Sequence, residues 1–275
     1  SHQIRALEKA LGTQLFERNG KRIAITAAGQ RFATIVRNGL NEIAQGAAAL
    51  RDEGAGKRLR ISALPSFASR WLAPRLWKFI DLHPDIDVTL ESSEHLKDLF
   101  RDPVDVGLRF GGGNYPGLHA VKLMDDYFYP VASPRYRNGR LPKTPAELAD
   151  CTLLRMDTGE SWQPWLDAAG LSMQEPQRGL QVYDASMVLR GVVEGAGVAL
   201  TRHAIAVQEL ASGDAVRLFD IAVRASLSYY FVCRPDRLDT PLVQEFLHWL
   251  QDEVQLFEAS ANWPASAARH QAVAG

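Results

Sequence analysis

The sequence predicts an α/β protein in which a helix, a hairpin and a long helix precede two α/β lobes. Three observations carry that expectation. Of 31 Lys+Arg and 32 Asp+Glu in 275 residues, residues 1–60 hold 11 and 5, so a net charge of -1 conceals a segment at +6 and a remainder at -7. Such asymmetry points to a nucleic-acid or anionic-surface module at one end. The hydrophobic pattern changes at Glu53-Gly54-Ala55-Gly56-Lys57: three- and four-residue spacing precedes this hinge, and strand-like runs alternating with helical ones follow it. Finally, 46% hydrophobic and 23% charged residues are the balance of a folded chain with a substantial core, which excludes disordered, collagenous and low-complexity classes.

The composition also narrows function. No apolar run approaches the ~20 residues that a bilayer crossing needs, so no membrane partner is expected. The chain opens at Ser1, without an initiator Met or a basic-then-apolar secretion signal. Cys151 and Cys233 lack CxxC or metal-ligand spacing, which suits a reduced, cytoplasmic compartment and no bound metal. HExxH, GxSxG and phosphate-loop patterns are absent and the seven histidines are scattered, so neither catalysis nor a cofactor is expected.

Taken in order, Ile4, Leu7, Leu11 and Leu15 recur at three- and four-residue steps opposite Arg5, Glu8 and Lys9, an amphipathic helix that ends near Gly12. Residues 14–18 and 21–25 flank Asn19-Gly20, which readily takes the positive φ angles of a type I′ turn, giving a hairpin with Arg18, Lys21 and Arg22 at its tip. Thr26 then caps a helix to about Asp52, ~40 Å long. Along it Val36, Ile43 and Leu50 repeat every seven residues, joined by Phe32, Leu40 and Ala47, a narrow stripe suited to pairing with a second helix. Gly39 and Gly46 interrupt that seam; they either admit close backbone approach or weaken the helix by about 1 kcal/mol each.

Beyond the hinge, Leu59, Ile61 and Ala63 alternate as a strand, and a helix over 66–82 turns Leu72, Leu76, Phe79 and Ile80 inward until His83-Pro84 stops it. A strand over 86–91, a short helix over 94–100 and a strand over 104–110 complete a βαβαβ order, which implies a parallel sheet. A second unit opens after Ser133-Pro134. There Thr144-Pro145-Ala146-Glu147 reads as a capping box, and strands over 153–156 and 180–183 flank a helical piece holding Trp162 and Trp165. Asp184 caps a helix over 185–194, which Gly195-Ala196-Gly197 turns into a strand over 198–201. A strand over 229–234 returns to the first unit and a helix over 241–257 closes it. The expected lobes are 59–133 with 234–257, and 134–233, a clamshell joined by two crossings. The tail over 258–275, rich in alanine, has little to order it.

The residues also carry a family resemblance. Ser1-His2-Gln3-Ile4-Arg5-Ala6-Leu7-Glu8, Leu11-Gly12, Leu15-Phe16-Glu17-Arg18 and Thr26-Ala27-Ala28-Gly29 resemble the end of the winged helix-turn-helix of LysR-type transcriptional regulators, in the branch of the glycine-cleavage activator and β-lactamase regulators. Pro65-Ser66-Phe67, Pro84-Asp85-Ile86, Asp105-Val106-Gly107-Leu108-Arg109 and Val193-Glu194-Gly195-Ala196-Gly197-Val198 extend the resemblance over that family's two-lobed, type 2 periplasmic-binding-protein-like effector domain. Thr201-Arg202 departs from it, since many relatives have a proline there. The resemblance implies that 1–26 are the C-terminal part of the DNA-binding domain, 27–53 the linker and dimerisation helix, 54–58 the hinge and 59–257 the effector-binding domain. It further implies that the module's first two helices precede Ser1, so the chain as it stands is expected to bind DNA poorly. Implied partners are double-stranded promoter DNA, a small-molecule effector, a second copy through the antiparallel linker helix, and, beyond these, a homotetramer and RNA polymerase.

Site residues follow from both lines of reasoning. Ser1, His2 and Gln3, at a helix N-terminal end, can reach base edges and phosphates, and Arg5 and Lys9, one turn apart, suit phosphate contacts. Arg18, Lys21 and Arg22 would approach the minor groove or the flanking backbone. The dimer seam is assigned to Phe32, Val36, Leu40, Ile43 and Leu50. In doubly wound sheets ligands bind beyond the carboxyl ends of strands, which selects Ser66, Ser92 and Ser93 in one lobe and Ser186 in the other as a site for an amino acid or other small carboxylate. The resemblance adds that Ser66 and Ser92 match positions touching effectors in relatives. Arg109 either pairs with that carboxylate or ties down a loop. Phe67 and Trp162 are assigned to the cavity wall, with Tyr127 beside them, although aromatic residues on such elements also serve as core. Two functions compete: a ligand-responsive transcription factor, and a solute-binding protein of a transport system. The clamshell fits both, whereas the basic helix fits the first.

Overall fold

The structure, a computed structural model, describes residues 2–19, 22–52, 58–93, 99–100, 102–156, 161–173, 181–182, 184–260 and 264. The chain divides into two compact units, Ser1–Lys57 with Phe100–Pro103, and Arg58–Leu99 with Val104–Gly275. Of the expected hinge over 54–58, residues 54–57 lie outside the described residues and Arg58 opens a strand; of the expected tail over 258–275, residues 258–260 and 264 are described, Glu258 closing the last helix.

In the first unit α1 (His2–Leu11) ends at Gly12, whose φ of +64° is the left-handed conformation that favours glycine. The Glu8 carboxylate turns back to accept the Leu15 and Phe16 N–H groups at 2.8 and 3.0 Å, fixing the start of the hairpin. Strands β1 (Phe16–Asn19) and β2 (Arg22–Ile25) pair Phe16 with Ile25 and Asn19 with Arg22. Asn19 therefore closes the ladder instead of entering the turn, a correction of one residue; Gly20 and Lys21, between the partners, lie outside the described residues. Thr26 opens α2 (Ala27–Asp52): its Oγ1 accepts the Gly29 N–H at 2.9 Å and donates to Gln14 O at 2.8 Å, while its own N–H donates to Leu15 O at 2.9 Å. One hydroxyl thus caps the helix and ties it to the hairpin. Thr26→Ala removes both side-chain bonds and is expected to destabilise this unit by about 1 kcal/mol. Hydrogen exchange over α2 checks this, with Thr26→Ser expected near wild type.

The second unit opens on β3 (Arg58–Ala63), followed by α3 (Pro65–Phe67), a π-helical stretch (Ala68–Leu72) and α4 (Ala73–Leu82) in direct succession. Pro74 explains part of that irregularity, because it has no N–H to give the Arg70 carbonyl. The chain continues through β4 (Asp87–Ser92), β5 (Val106–Gly111), β6 (His119–Ala132), 3-10 turns at Tyr136–Gly139 and Pro145–Asp150, β7 (Leu153–Met156), α5 (Gln163–Ala168) and β8 (Gln181–Val182). It ends with α6 (Ala185–Val193), β9 (Val198–Arg202), α7 (His203–Ser212), β10 (Val216–Arg217), β11 (Val223–Cys233), α8 (Pro235–Leu238) and α9 (Pro241–Glu258). The expected helix over 94–100 falls largely on 94–98, outside the described residues. The Thr144 capping box is half formed: Glu147 accepts the Lys143 N–H at 3.2 Å and contacts the Thr144 hydroxyl at 3.0 Å, but that hydroxyl caps nothing.

Among the described residues the strands of the second unit form one sheet in the order β4-β3-β5-β11-β6-β9-β7-β8, with β10 beside β6. The parallel expectation holds for β4-β3-β5 and for β9-β7-β8. It fails in the middle, where β6 and β11 run antiparallel to every neighbour and pass through both lobes. The returning strand is accordingly longer than expected, reaching back to Val223.

Strand alternation then distributes the cores. In the first lobe Leu59, Ile61 and Leu108 meet Phe67, Trp71, Phe79 and, from α9, Phe246 and Leu250. In the second lobe, Phe128 and Leu200 face Trp165 of α5, whereas the next residue on each strand, Tyr129, and the one before, Ala199, face α6 and α7. Among the described residues no helix is long and apolar enough to cross a membrane.

Candidate functional site

The sheet brings the predicted serines to one edge. Ser92 pairs with Ala63, and Ser93 N donates to Ala63 O at 3.0 Å, so Ser66, Ser92 and Ser93 stand beyond the carboxyl ends of adjacent parallel strands. Ser66 is buried and Ser92 exposed. From the other lobe, Ser186 N donates to the N-capping Asp184 Oδ1 at 2.8 Å, and Ser186 Oγ lies 3.4 Å from Ser69 Oγ. Ser66 and Ser186 therefore sit on elements that meet across the lobes. Close by, Arg70 pairs with Glu209, and Gln208 Nε2 donates at 3.1 Å to the Arg70 carbonyl that Pro74 cannot serve.

A second junction centres on Arg202, at the end of β9. It is 3% exposed; Nη1 donates to the Tyr229 hydroxyl at 3.0 Å, Nη2 reaches Ser66 Oγ at 3.5 Å, and the guanidinium lies over Phe110 with Cζ 4.4 Å from the ring centre. Its Nε has no hydrogen-bond partner, and among the described residues no carboxylate forms an ion pair with it. Asp126, fully buried on β6, accepts the Tyr127 N–H at 2.8 Å and the Ala204 N–H at 3.3 Å. Burial pushes its carboxyl up to about 6, against the pull of Arg202 and those donors. The adjacent His203 places Nδ1 2.5 Å from the Tyr129 hydroxyl, and burial, aided by Arg217, holds its imidazole down at about 4.

A cavity of about 230 Å³ lies against the second lobe's sheet, walled by Phe128, Leu200, Val223, Ala225 and Trp165, with Ser161, Ser226 and Arg224 as polar lining. The aromatic residues assigned to a cavity wall are elsewhere. Phe67 is core, stacked on Trp71 and Tyr229 at centroid distances of 5.0 and 4.3 Å. Trp162 is core as well, edge-on to Trp165, and Tyr127 packs partly buried against the α6–α7 core. Arg109 is bonded not to a loop, as one of its two expected roles had it, but to the neighbouring strand β3: Nη1 donates to Ser62 O at 2.9 Å and both terminal nitrogens reach Ser62 Oγ at 3.2 Å. Gly107 makes the room, since a Cβ there would lie 3.0 Å from Arg109 Cζ. Arg202, Glu209 and Asp126 were not selected from sequence; the departure at Thr201-Arg202 was the one signal for the first.

On the first unit, α1 presents His2, Gln3, Arg5 and Lys9 exposed, with His2, Arg5 and Lys9 on the face opposite Ile4, Leu7 and Leu11. Arg18 and Arg22 are placed on the hairpin by its pairing, while Ser1, Lys21 and the side chains of Arg18 and Arg22 lie outside the described residues. Along α2, Val36, Leu40 and Ile43 are 41, 61 and 70% exposed and Phe32 is half-buried; the Leu50 side chain lies outside the described residues.

Residues 52–255 match the family model described as the LysR substrate binding domain, and residues 1–30 match that of the bacterial regulatory helix-turn-helix protein, lysR family. The chain is 34% identical over 251 residues to the glycine cleavage system transcriptional activator of Escherichia coli strain K12, across 91% of this chain and 82% of that one. It is 32% identical over 253 residues to the HTH-type transcriptional activator AmpR of Pseudomonas aeruginosa, across 91% and 84%. The solved effector domain of the Pseudomonas aeruginosa AmpR superposes with a TM-score of 0.65 at 30% identity, over 73% of this chain and 96% of that one. Full-length AphB of Vibrio cholerae, a virulence activator, gives 0.59 at 24% identity over 90% and 87%, which bears on the fold alone. The helix-turn-helix match sets aside the transport reading that the clamshell left open. With both of its parts matched, this chain belongs to the LysR family of transcriptional regulators, DNA-binding proteins that carry an effector-binding domain.

Proposed function

We propose that this regulator pairs through α2, grips promoter DNA with α1 and the hairpin, and alters its DNA geometry when a small molecule occupies the junction of its lobes. The carrying observation is the coexistence in one chain of a basic helix and hairpin, an exposed apolar helix stripe and two lobes that meet through a few polar pairs. Ser66 and Ser186, with Ser92 and Ser93 at the same sheet edge, supply the polar groups for the effector. Polar pairs of this kind are exchangeable for contacts to a ligand, so occupancy selects one relative orientation of the lobes. Among the described residues nothing requires Gly39 to lack a side chain, because a Cβ there would meet no atom within 4 Å; this supports close approach of a partner helix at the seam. A pair of such dimers and a contact with RNA polymerase belong to the same reading.

Fluorescence anisotropy tests it, with protein expressed from its complete open reading frame and the promoter region upstream of its own gene. Affinity is expected to fall by about a hundredfold or more between 50 and 200 mM salt, as phosphate contacts release counterions. Arg5→Gln and Lys9→Gln should each lower the salt slope by about one. A flat salt response, or equal affinity for an unrelated duplex, would overturn the reading.

A further inference from the structure

We infer that Arg202 makes the junction between the lobes a receptor for a small amphipathic anion, a single carboxylate on an apolar body. This rests on the effector reading above and names the class of ligand. A guanidinium 97% removed from solvent is costly unless its charge is answered; the groups bonded or stacked to Arg202 are two neutral hydroxyls and the rings of Phe110 and Tyr229, and Asp126 acts on it through its charge with no ion pair between them among the described residues. One of those bonds, to Ser66 Oγ, stands at 3.5 Å, the outer limit of a hydrogen bond, and Nε donates to nothing. A carboxylate displacing Ser66 would gain charge-assisted bonds that the resting contacts do not provide.

The apolar half of the ligand follows from strand register. Arg202 is the direct cross-strand partner of Phe128, and Leu200 precedes it by two residues, so the three side chains leave the sheet on one face. Phe128 and Leu200 wall the 230 Å³ cavity together with Trp165, Val223 and Ala225. Arg202 does not itself line the cavity; an apolar body seated there would reach the guanidinium along the shared strand face. Asp126 already acts on Arg202 through its charge, which favours one negative charge on the ligand over two.

The test is calorimetric titration of the full chain with phenylacetate, 4-methylpentanoate, the amides of both, acetate and succinate. The two apolar monocarboxylates are expected to bind, with every other compound at least about tenfold weaker, and Arg202→Gln to lower their affinity about thirtyfold. Arg202→Lys, which keeps the charge but not the planar fork, should fall between, and supplies the comparison should the glutamine variant fail to fold. Leu200→Asn should weaken phenylacetate while leaving acetate unchanged. Equal affinity for acid and amide, no binding of either acid, or unchanged affinity in Arg202→Gln would overturn the assignment. A neutral ligand lost in Ser66→Ala but retained in Arg202→Gln would remove the anion assignment alone and leave the effector reading standing.

Discussion

Gly29→Ala is expected to unfold the first unit of the chain while leaving the effector-binding unit intact. A Cβ at this position would lie 2.1 Å from Leu15 O and 2.8 Å from Ile25 Cγ1, well inside any real Cβ contact. The nearer obstacle is backbone, and it cannot retreat freely: Leu15 O accepts the Thr26 N–H at 2.9 Å, the bond that joins α2 to the hairpin. Relief therefore requires moving the helix off the hairpin and loosening the Thr26 cap, whose Oγ1 holds the Gly29 N–H itself. Overpacking against an immovable atom costs about 3 kcal/mol or more, a large share of what so small a unit holds. Hydrogen exchange should show protection lost over residues 2–52 and retained over β3, β5 and β11, and promoter binding should disappear. Gly39→Ala is the matched control: among the described residues of its own chain a Cβ there meets nothing, so it should leave the hairpin protected, its effect being confined to pairing through α2. Wild-type protection in Gly29→Ala would show that the hairpin and helix are not packed as described.

The first unit was legible in the sequence because its determinants are local. Period, Gly12 stop and Thr26 cap each act within a few residues, and even the turn erred by only one position. β6 was invisible for the opposite reason. Asp125, Asp126 and Pro130 are poor strand residues, and what holds them in a strand is pairing with β11 and β9, far away in sequence. That Ser66 and Ser186 lie on elements that meet across the lobes was legible because strand-to-helix boundaries gather at one edge of a doubly wound sheet. Phe67 beside Ser66 could not be sorted the same way, since an aromatic at such a boundary reads alike whether it faces a cavity or Trp71 and Tyr229. Arg202 lay further out of reach: its partners Tyr229 and Ser66 are 27 and 136 residues away, and its meaning is set entirely by them.

Asp126 and His203 are expected to impose opposite pH dependences on the stability of the effector-binding unit. Burial raises the Asp126 carboxyl from an ordinary 3.8 to about 6. Between those values the unfolded chain has lost a proton that the folded one keeps, so this group makes stability fall as pH rises from about 4 to 6, by up to about 3 kcal/mol. Burial lowers His203 from 6.5 to about 4. Here the unfolded chain takes up a proton that the folded one refuses, so stability falls as pH drops from 6.5 to 4, by a similar amount. The two windows overlap, and in the wild-type chain the slopes largely cancel. Single substitutions should separate them. In Asp126→Asn, urea unfolding at pH 4, 5, 6 and 7 should lose about 3 kcal/mol toward acid relative to wild type; in His203→Gln it should gain toward acid. Asp125, held at about 2 by its Arg224, Lys122 and Ser228 partners, contributes the same acid loss to both variants, so the comparison rests on differences. Parallel curves for wild type and Asp126→Asn between pH 4 and 6.5 would rule the account out. Asp126 is also coupled to Arg202, whose charge opposes the rise of its carboxyl. Removing that charge in Arg202→Gln should carry the carboxyl above 6 and extend the loss of stability with rising pH into the neutral range.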